Sequence, residues 1–290
     1  MALELQEKAV RRGMLLMLLA VSLLPLMDAM AKELTQRYPV MQVTWGRYVF
    51  TLLWILPGLL LRYRDRLLPV PQPWLQLVRG LAQVGATFLF FLTLTFLPLA
   101  DTVALAFLYP LIVTALSPFV LGERVGWRRY VAVAVGFLGA LVIIRPGLGV
   151  FQPASVFGLG IGFVFALYIL LTRKLRGQTP PLVTLAWGAI IGVIVTSLPM
   201  PFVFVPMTGL DWLGLVMIGL LGAIAHQSFI MAFEMAPAAV LSPLGYAEML
   251  TAVCVGYLWF GDLPDSFTWT GIAIIAAAGL YVGWRERRAG

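Results

Sequence analysis

Long uncharged stretches dominate the chain. Residues 80–100, 102–122, 146–172 and 177–210 each run without a charged side chain. About 20 predominantly apolar residues make a helix that crosses roughly 30 Å of hydrocarbon. Read at that length, the pattern predicts ten spans: 13–31, 39–61, 74–97, 99–121, 127–145, 153–172, 180–204, 210–234, 237–260 and 267–284. The polar segments between them are short, so no soluble domain of any size is expected. The first span resembles a signal peptide, with Lys8, Arg11 and Arg12 ahead of an apolar run that ends at Ala29-Met30-Ala31. Asp28 argues against that reading, because a cleavage region needs small neutral residues there. The predicted fold is therefore an all-α integral membrane protein.

Composition sharpens the class. Hydrophobic residues make up 61% of the chain and charged ones 11%, against about 25% charged in ordinary soluble domains. The net charge of +7 would fit a nucleic-acid partner, but its distribution points elsewhere. With the N-terminus inside, the inner segments hold fifteen basic residues: Lys8, Arg11, Arg12, Arg62, Arg64, Arg66, Arg124, Arg128, Arg129, Arg173, Lys174, Arg176, Arg285, Arg287 and Arg288. The outer segments hold three: Lys32, Arg37 and Arg145. Basic residues stay on the cytoplasmic side during insertion, so both termini are expected there. The basic excess then reports a lipid bilayer with an anionic inner surface, and no nucleic acid. Trp74, Trp127, Trp212, Trp259, Trp269 and Trp284 fall near span ends, as interfacial anchors do.

The single cysteine, Cys254, leaves no disulfide within the chain, and the single histidine excludes any site built on two. The sequence has no Walker loop, GxSxG elbow, CxxC or HExxH. No cofactor or metal is expected, and an intramembrane enzyme would need paired aspartates, a Ser–His pair or metal ligands at one depth.

The second half of the chain echoes the first. Pro98 and Pro237, Ala100 and Ala239, and Gly122-Glu123 and Gly261-Asp262 share one offset of 139 residues, as do Phe90 and Phe229, and Gly80 and Gly219. Lys32, Pro39, Trp45 and Gly46 match Lys174, Pro181, Trp187 and Gly188 at an offset of 142. Such spacing marks an internal repeat, with residues 13–145 as its first copy and 153–285 as its second. Five spans per copy is an odd number, so the copies enter the membrane from opposite sides. Two inverted five-helix repeats are the architecture of many secondary transporters, in which one half rocks against the other about a central site. With ten spans, this repeat and the Pro…Gly-Glu/Asp bracket around spans 4 and 9, the chain resembles the drug/metabolite transporter superfamily, EamA type. Within it, the chain is most similar to the bacterial YddG-type exporters of aromatic and other amino acids. The resemblance implies outward transport across a bacterial inner membrane.

Polar groups near the bilayer midplane are expensive and usually functional, so depth selects the candidates. Glu248, near the middle of span 9, could bind a substrate amine, carry a proton or bridge helices. Its repeat partner Tyr109 could do similar work or simply pack. His226 could take a proton or bond a substrate carboxylate, the alternative being a neutral bond to a neighbouring helix. Arg79 could meet a carboxylate or snorkel to the inner interface. Arg47 and Asp28 could pair as an outer gate or as a plain structural bridge. Trp45 and Trp187, mirrored by the repeat, could flank a cavity with Met41 and Thr44 beside them, or face lipid. Ser242-Pro243 and Tyr109-Pro110 interrupt spans 9 and 4, as at many transporter sites. The expected function is a secondary transporter that exports small metabolites, amino acids first, by alternating access through a central cavity. The alternative is a broad exporter of drugs or cationic compounds. Proton coupling could run through Glu248 or His226.

Overall fold

The computed structural model describes residues 2–63, 70–122, 125–145 and 154–289, without the side chains of 2–6, 238–239, 242–243 and 286–289. Among them there is no strand. The helices are α1 (Ala2–Thr35), α2 (Val40–Tyr63), α3 (Pro73–Leu94), α4 (Leu99–Ala106), α5 (Tyr109–Leu121), α6 (Trp127–Ile144), α7 (Ser155–Lys174), α8 (Pro181–Ser197), α9 (Met200–Val203), α10 (Gly209–Met235), α11 (Ala238–Gly245), α12 (Ala247–Phe260) and α13 (Ser266–Ala289). Eight helical segments among the described residues are long and apolar enough to cross a membrane. Their outer surfaces carry exposed Leu53, Phe119, Leu138, Phe163 and Leu213, a distribution that suits lipid and not water.

Two of the ten predicted spans fall short of that length. The seventh ends as α8 at Ser197, where Pro199 and Pro201 stop the ladder, and resumes as the single turn α9. Proline has no N–H to continue a helix. The ninth is divided into α11 and α12 at Tyr246. The fourth is divided too, at Phe107-Leu108, although α4 and α5 together keep spanning length.

These breaks obey the repeat. Added to the bounds of α4, the offset of 139 gives those of α11, and it carries the end of α5, Leu121, to the end of α12, Phe260. It also carries the break residue Phe107 to the break residue Tyr246. Both broken spans end on a left-handed glycine, Gly122 at φ 72° and Gly261 at φ 73°, which frees the last carbonyls to be capped. Glu123 and Arg124 lie outside the described residues. Of the two prolines read as interrupting these spans, only Pro110 adjoins its break, since it has no N–H to offer Ala106 O, where α4 ends. Pro110 lies in the first turn of α5, where its missing N–H is one of the unpaired ones anyway. Helix α11 runs through Ser242-Pro243 and stops two residues later, at Gly245.

Packing follows the same symmetry. Helix α1 lies on α10 and its counterpart α7 on α3, while α2 meets α8 and α6 meets α13. Glycines open the way for the broken span: Gly158 and Gly162 on α7 receive Leu105 and Leu108. Leu99, Leu105, Leu108 and Leu111 are wholly buried there, so both breaks sit in the middle of the core.

The bundle has two ends. At the basic face, Gln76 of α3 bonds Thr179, Lys174 reaches Val120 O, and Arg129 reaches Arg285 O. At the far face, Lys32, Arg37 and Arg145 each pair with an acid of the second half.

Candidate functional site

Two cavities lie inside the bundle. A vestibule of about 400 Å³ is lined by Leu121, Arg173, Arg176, Glu234 and Gly283 at the basic face, and reaches inward to Tyr246. Beyond it lies a chamber of about 90 Å³. Phe107, Tyr109 and Phe229 line both and form the partition between them. The helix breaks build this partition. Phe107 occupies one break and packs at 5.4 Å on Tyr246, which occupies the other, and lies 5.6 Å from Tyr109. Tyr109 in turn meets Phe165 edge-on at 4.8 Å.

The chamber brings together Asp28 from α1, Arg47 from α2, Gln83 and Thr87 from α3, Tyr109 from α5, His226 from α10 and Glu248 from α12. Aromatic faces surround them: Phe90, Phe91, Phe107, Phe165 and Phe229. Arg47 is buried and donates from Nη1 to Thr87 Oγ1, and its Nη2 lies 2.7 Å from His226 Nε2. A guanidinium only donates, so His226 Nε2 accepts and the imidazole is neutral, with its proton on Nδ1. Thr87 spends its own proton on Gln83 O at 3.0 Å. Tyr48 therefore donates to Thr87 at 2.9 Å. Arg47 is thus clamped entirely by neutral groups, with Tyr48 and Phe91 rings 5.2 and 5.8 Å from its Cζ.

No hydrogen bond or close ion pair joins Asp28 to Arg47, although the guanidinium still acts on the carboxyl through space. Both residues line the chamber, but the guanidinium is taken up by Thr87 and His226, and Asp28 faces the cavity. Neither Asp28 nor Glu248 has a hydrogen-bond or ion-pair partner among the described residues. Glu248 stands in the first turn of α12, directly after the break at Tyr246.

Other candidates lie elsewhere. Arg79 lines neither cavity and does not snorkel. It is fully buried, donates to Gln76 Oε1 and Thr184 O, and covers the Tyr168 ring. Trp45 donates to Ser197 Oγ at 3.0 Å and meets Trp212 edge-on near the far face. Thr44 turns its hydroxyl back to Val40 O, Met41 is only partly buried beside it, and Trp187 packs against Ile55, Leu59 and their neighbours. None of the four lines either of these two cavities. The Ser242 side chain lies outside the described residues. Sequence reasoning missed Thr87, Gln83 and Tyr48. It had found Phe90 and Phe229 as repeat partners without assigning them to the site, which was the available signal.

The far face is closed. Gln42 and Val205 exchange two hydrogen bonds of 2.8 Å between the halves. Lys32 pairs with Asp262 at 3.2 Å, and Arg37 with Asp211 at 2.8 Å. Trp259 donates to Glu33. Tyr38 donates to Asp211 at 2.7 Å, and this bond holds its hydroxyl above the ordinary phenol range. Arg145 binds Asp265 and holds that carboxyl below the usual range.

The model of the EamA-like transporter family matches residues 11–145 and again residues 152–284. An S-adenosylmethionine uptake transporter of Rickettsia felis is 26% identical over 90% of this chain and 89% of its own length. A riboflavin transporter of Rhizobium johnstonii is 27% identical over 95% and 92%. The pseudopaline exporter CntI of Pseudomonas aeruginosa is 28% identical over 92% and 94%. A protein crystal structure superposes with a TM-score of 0.68 at 19% identity, over 98% of this chain and 99% of that one, and so shares the fold.

Proposed function

Because the chain belongs to the EamA-like transporter family, whose named relatives are transporters rather than enzymes, we propose that it is a ten-pass secondary transporter working by alternating access. Its halves, 13–145 and 153–285, are inverted five-span repeats, with the divided spans 4 and 9 crossing at the centre. The basic face is cytoplasmic, as are both termini, and the membrane is the bacterial inner membrane. In this conformation the vestibule admits solute from the basic face while the far face is shut.

The solute is a small metabolite with an amine, amino acids with apolar or aromatic side chains among them, carried outward. The single observation behind this reading is the chamber itself: acids, a clamped arginine and aromatic walls within one cavity between the halves. A carboxylate suits the planar fork of Arg47, an amine suits Asp28 and Glu248, and a ring suits the phenylalanines. The relatives' solutes, S-adenosylmethionine, riboflavin and pseudopaline, are not simple amino acids, and one relative is named for uptake and another for export. A second reading, export of cationic compounds, is favoured by the two unpartnered carboxyls.

The test is uptake of labelled amino acids by liposomes holding the purified protein, with and without a pH gradient. Accumulation above empty liposomes, competed by phenylalanine and reduced at least about tenfold by Glu248→Gln, is the expected result. If no amino acid is carried while an organic cation is, the amino-acid reading fails and the second one takes its place.

A further inference from the structure

Helix α3 carries a full charge into the core with no acid to meet it. Arg79 is wholly buried, and its hydrogen-bond partners among the described residues are neutral. Its Nε donates to Gln76 Oε1 at 3.3 Å, its Nη2 donates to Thr184 O, and the Tyr168 ring lies 5.4 Å from its Cζ. Nη1 has no partner, and neither has the buried Oε1 of Gln83 one turn along the helix. Among the described residues no ion pair includes Arg79. A buried charge is costly unless an anion meets it. The guanidinium also stands directly behind the wall of the vestibule. Thr179 and Thr184 line that cavity and bond to each other at 3.1 Å. Thr179 receives Gln76 at 3.2 Å, and Thr184 supplies the carbonyl that Arg79 holds. The charged residues that line the vestibule are Arg173, Arg176 and Glu234, so cations prevail there too. At its inner end the Tyr246 hydroxyl is buried and unpartnered, beside Phe107 and Tyr109. Size separates the two cavities. One benzene ring occupies a cavity of about 150 Å³. The chamber, at about 90 Å³, is smaller, and the vestibule, at about 400 Å³, is large enough for a small organic ligand. While the partition stands, an aromatic solute therefore rests in the vestibule.

We propose that the vestibule is a binding site in its own right, for a solute with an aromatic ring and a carboxylate, and that Arg79 receives the carboxylate. The ring lies against Phe107, Phe229 and Phe233, within reach of the Tyr246 hydroxyl. Only the bonds of Thr179 and Thr184 separate the guanidinium from the cavity. A charge-assisted bond is roughly twice as strong as a neutral one, so a carboxylate displaces Thr184 O and Gln76 from Arg79. An amine gains nothing here, because its acids, Asp28 and Glu248, lie beyond the partition. Once the partition opens, Arg47 offers the same planar fork in the chamber, and the carboxylate passes from one arginine to the next. This inference rests on the transporter reading for that inward step, but its test measures binding alone.

The test uses the full chain purified in detergent. In titration calorimetry, 3-phenylpropionate should bind at least about tenfold more tightly than 3-phenylpropanol or 3-phenylpropylammonium. Arg79→Gln should abolish that preference and leave binding of the alcohol unchanged, and Arg79→Lys, a point charge without the fork, should restore part of it. The photoprobe 3-(4-azidophenyl)propionate locates the site in the parent protein by peptide mass spectrometry. It should attach to Ile169, Phe233 or Tyr246, and 3-phenylpropionate should displace it while inorganic phosphate should not. If Arg79→Gln fails to fold, the photoprobe still decides, because it needs only the parent. Equal affinity for the three compounds, a preference kept in folded Arg79→Gln, attachment confined to Phe90, Phe91 and Phe165 of the chamber, or displacement by inorganic phosphate would each overturn the proposal. Carboxylate-selective binding in the vestibule by a protein that carries no solute in liposomes would sink the carrier reading alone. Amino-acid transport by a protein with no carboxylate preference would sink this inference alone.

Discussion

Gln42 is fully buried near the start of α2 and exchanges two 2.8 Å hydrogen bonds with the backbone of Val205, in the segment between α9 and α10. These bonds tie the first half of the chain to the second at the closed face. Replacing Gln42 with Leu keeps its bulk and removes both. The penalty depends on what becomes of the Val205 N–H and C=O. Val205 is 40% exposed, so water can satisfy them, and each lost bond costs only its net worth of about 0.5–1.5 kcal/mol. The closed far face is thus weakened by about 1–3 kcal/mol, whereas a state in which the halves have separated there never had the bonds and loses nothing. At about 1.4 kcal/mol per tenfold, the population should move toward a far-open state by a factor of about 5–140. Spin labels at Gln36 and Leu263, both exposed at this face, would report it in liposomes by pulsed electron resonance. A longer-distance population should grow in Gln42→Leu and recede in Gln42→Glu at low pH, where the protonated side chain can again donate and accept. Identical distance distributions in parent and Gln42→Leu would refute the reasoning, because they would mean that the two bonds do not hold the face shut.

Three further outcomes are expected. A Cβ at Gly219 would come within 2.8 Å of the backbone at Phe50 and Thr51, so Gly219→Ala should lower stability in detergent by about 1–3 kcal/mol, while Gly58→Ala, which meets only the tip of Leu182 at 3.5 Å, should be neutral in the same thermal assay. The hydrogen bond from Arg145 lowers the Asp265 carboxyl, so its contribution to stability is present above the unfolded value of about 4 and is lost as pH falls through the lower folded one. Asp265 is about half exposed, so melting scans should show only a small acid-side loss, absent in Asp265→Asn. For topology, a cysteine at exposed Gln178 in a Cys254→Ser background should resist a membrane-impermeant thiol reagent in intact cells, and one at Leu263 should react; the reverse pattern would invert the assigned orientation.

Distance of a polar residue from the span ends was legible from the sequence, and direction around each helix was not. Counting residues from the span ends selected Glu248, His226, Tyr109, Asp28 and Arg47, and all five line the chamber. The same counting selected Arg79, Trp45, Met41, Thr44 and Trp187, and none of them does. A soluble helix shows its inward face by its apolar stripe, but a helix hydrophobic all round carries no such mark. Arg79 and Gln83 are one turn apart on α3, yet only Gln83 borders the chamber, and no periodicity separates them. The broken spans show a similar limit. The offset of 139 carries the bounds of α4 onto those of α11, but of the two prolines only Pro110 adjoins a break, since α11 runs on through Pro243 to Gly245.

The relatives' names leave the direction of transport open, and physics explains why a shared fold need not fix it. Two halves that exchange roles about a central site make a carrier that can run either way, so the net flow follows the gradients and not the architecture.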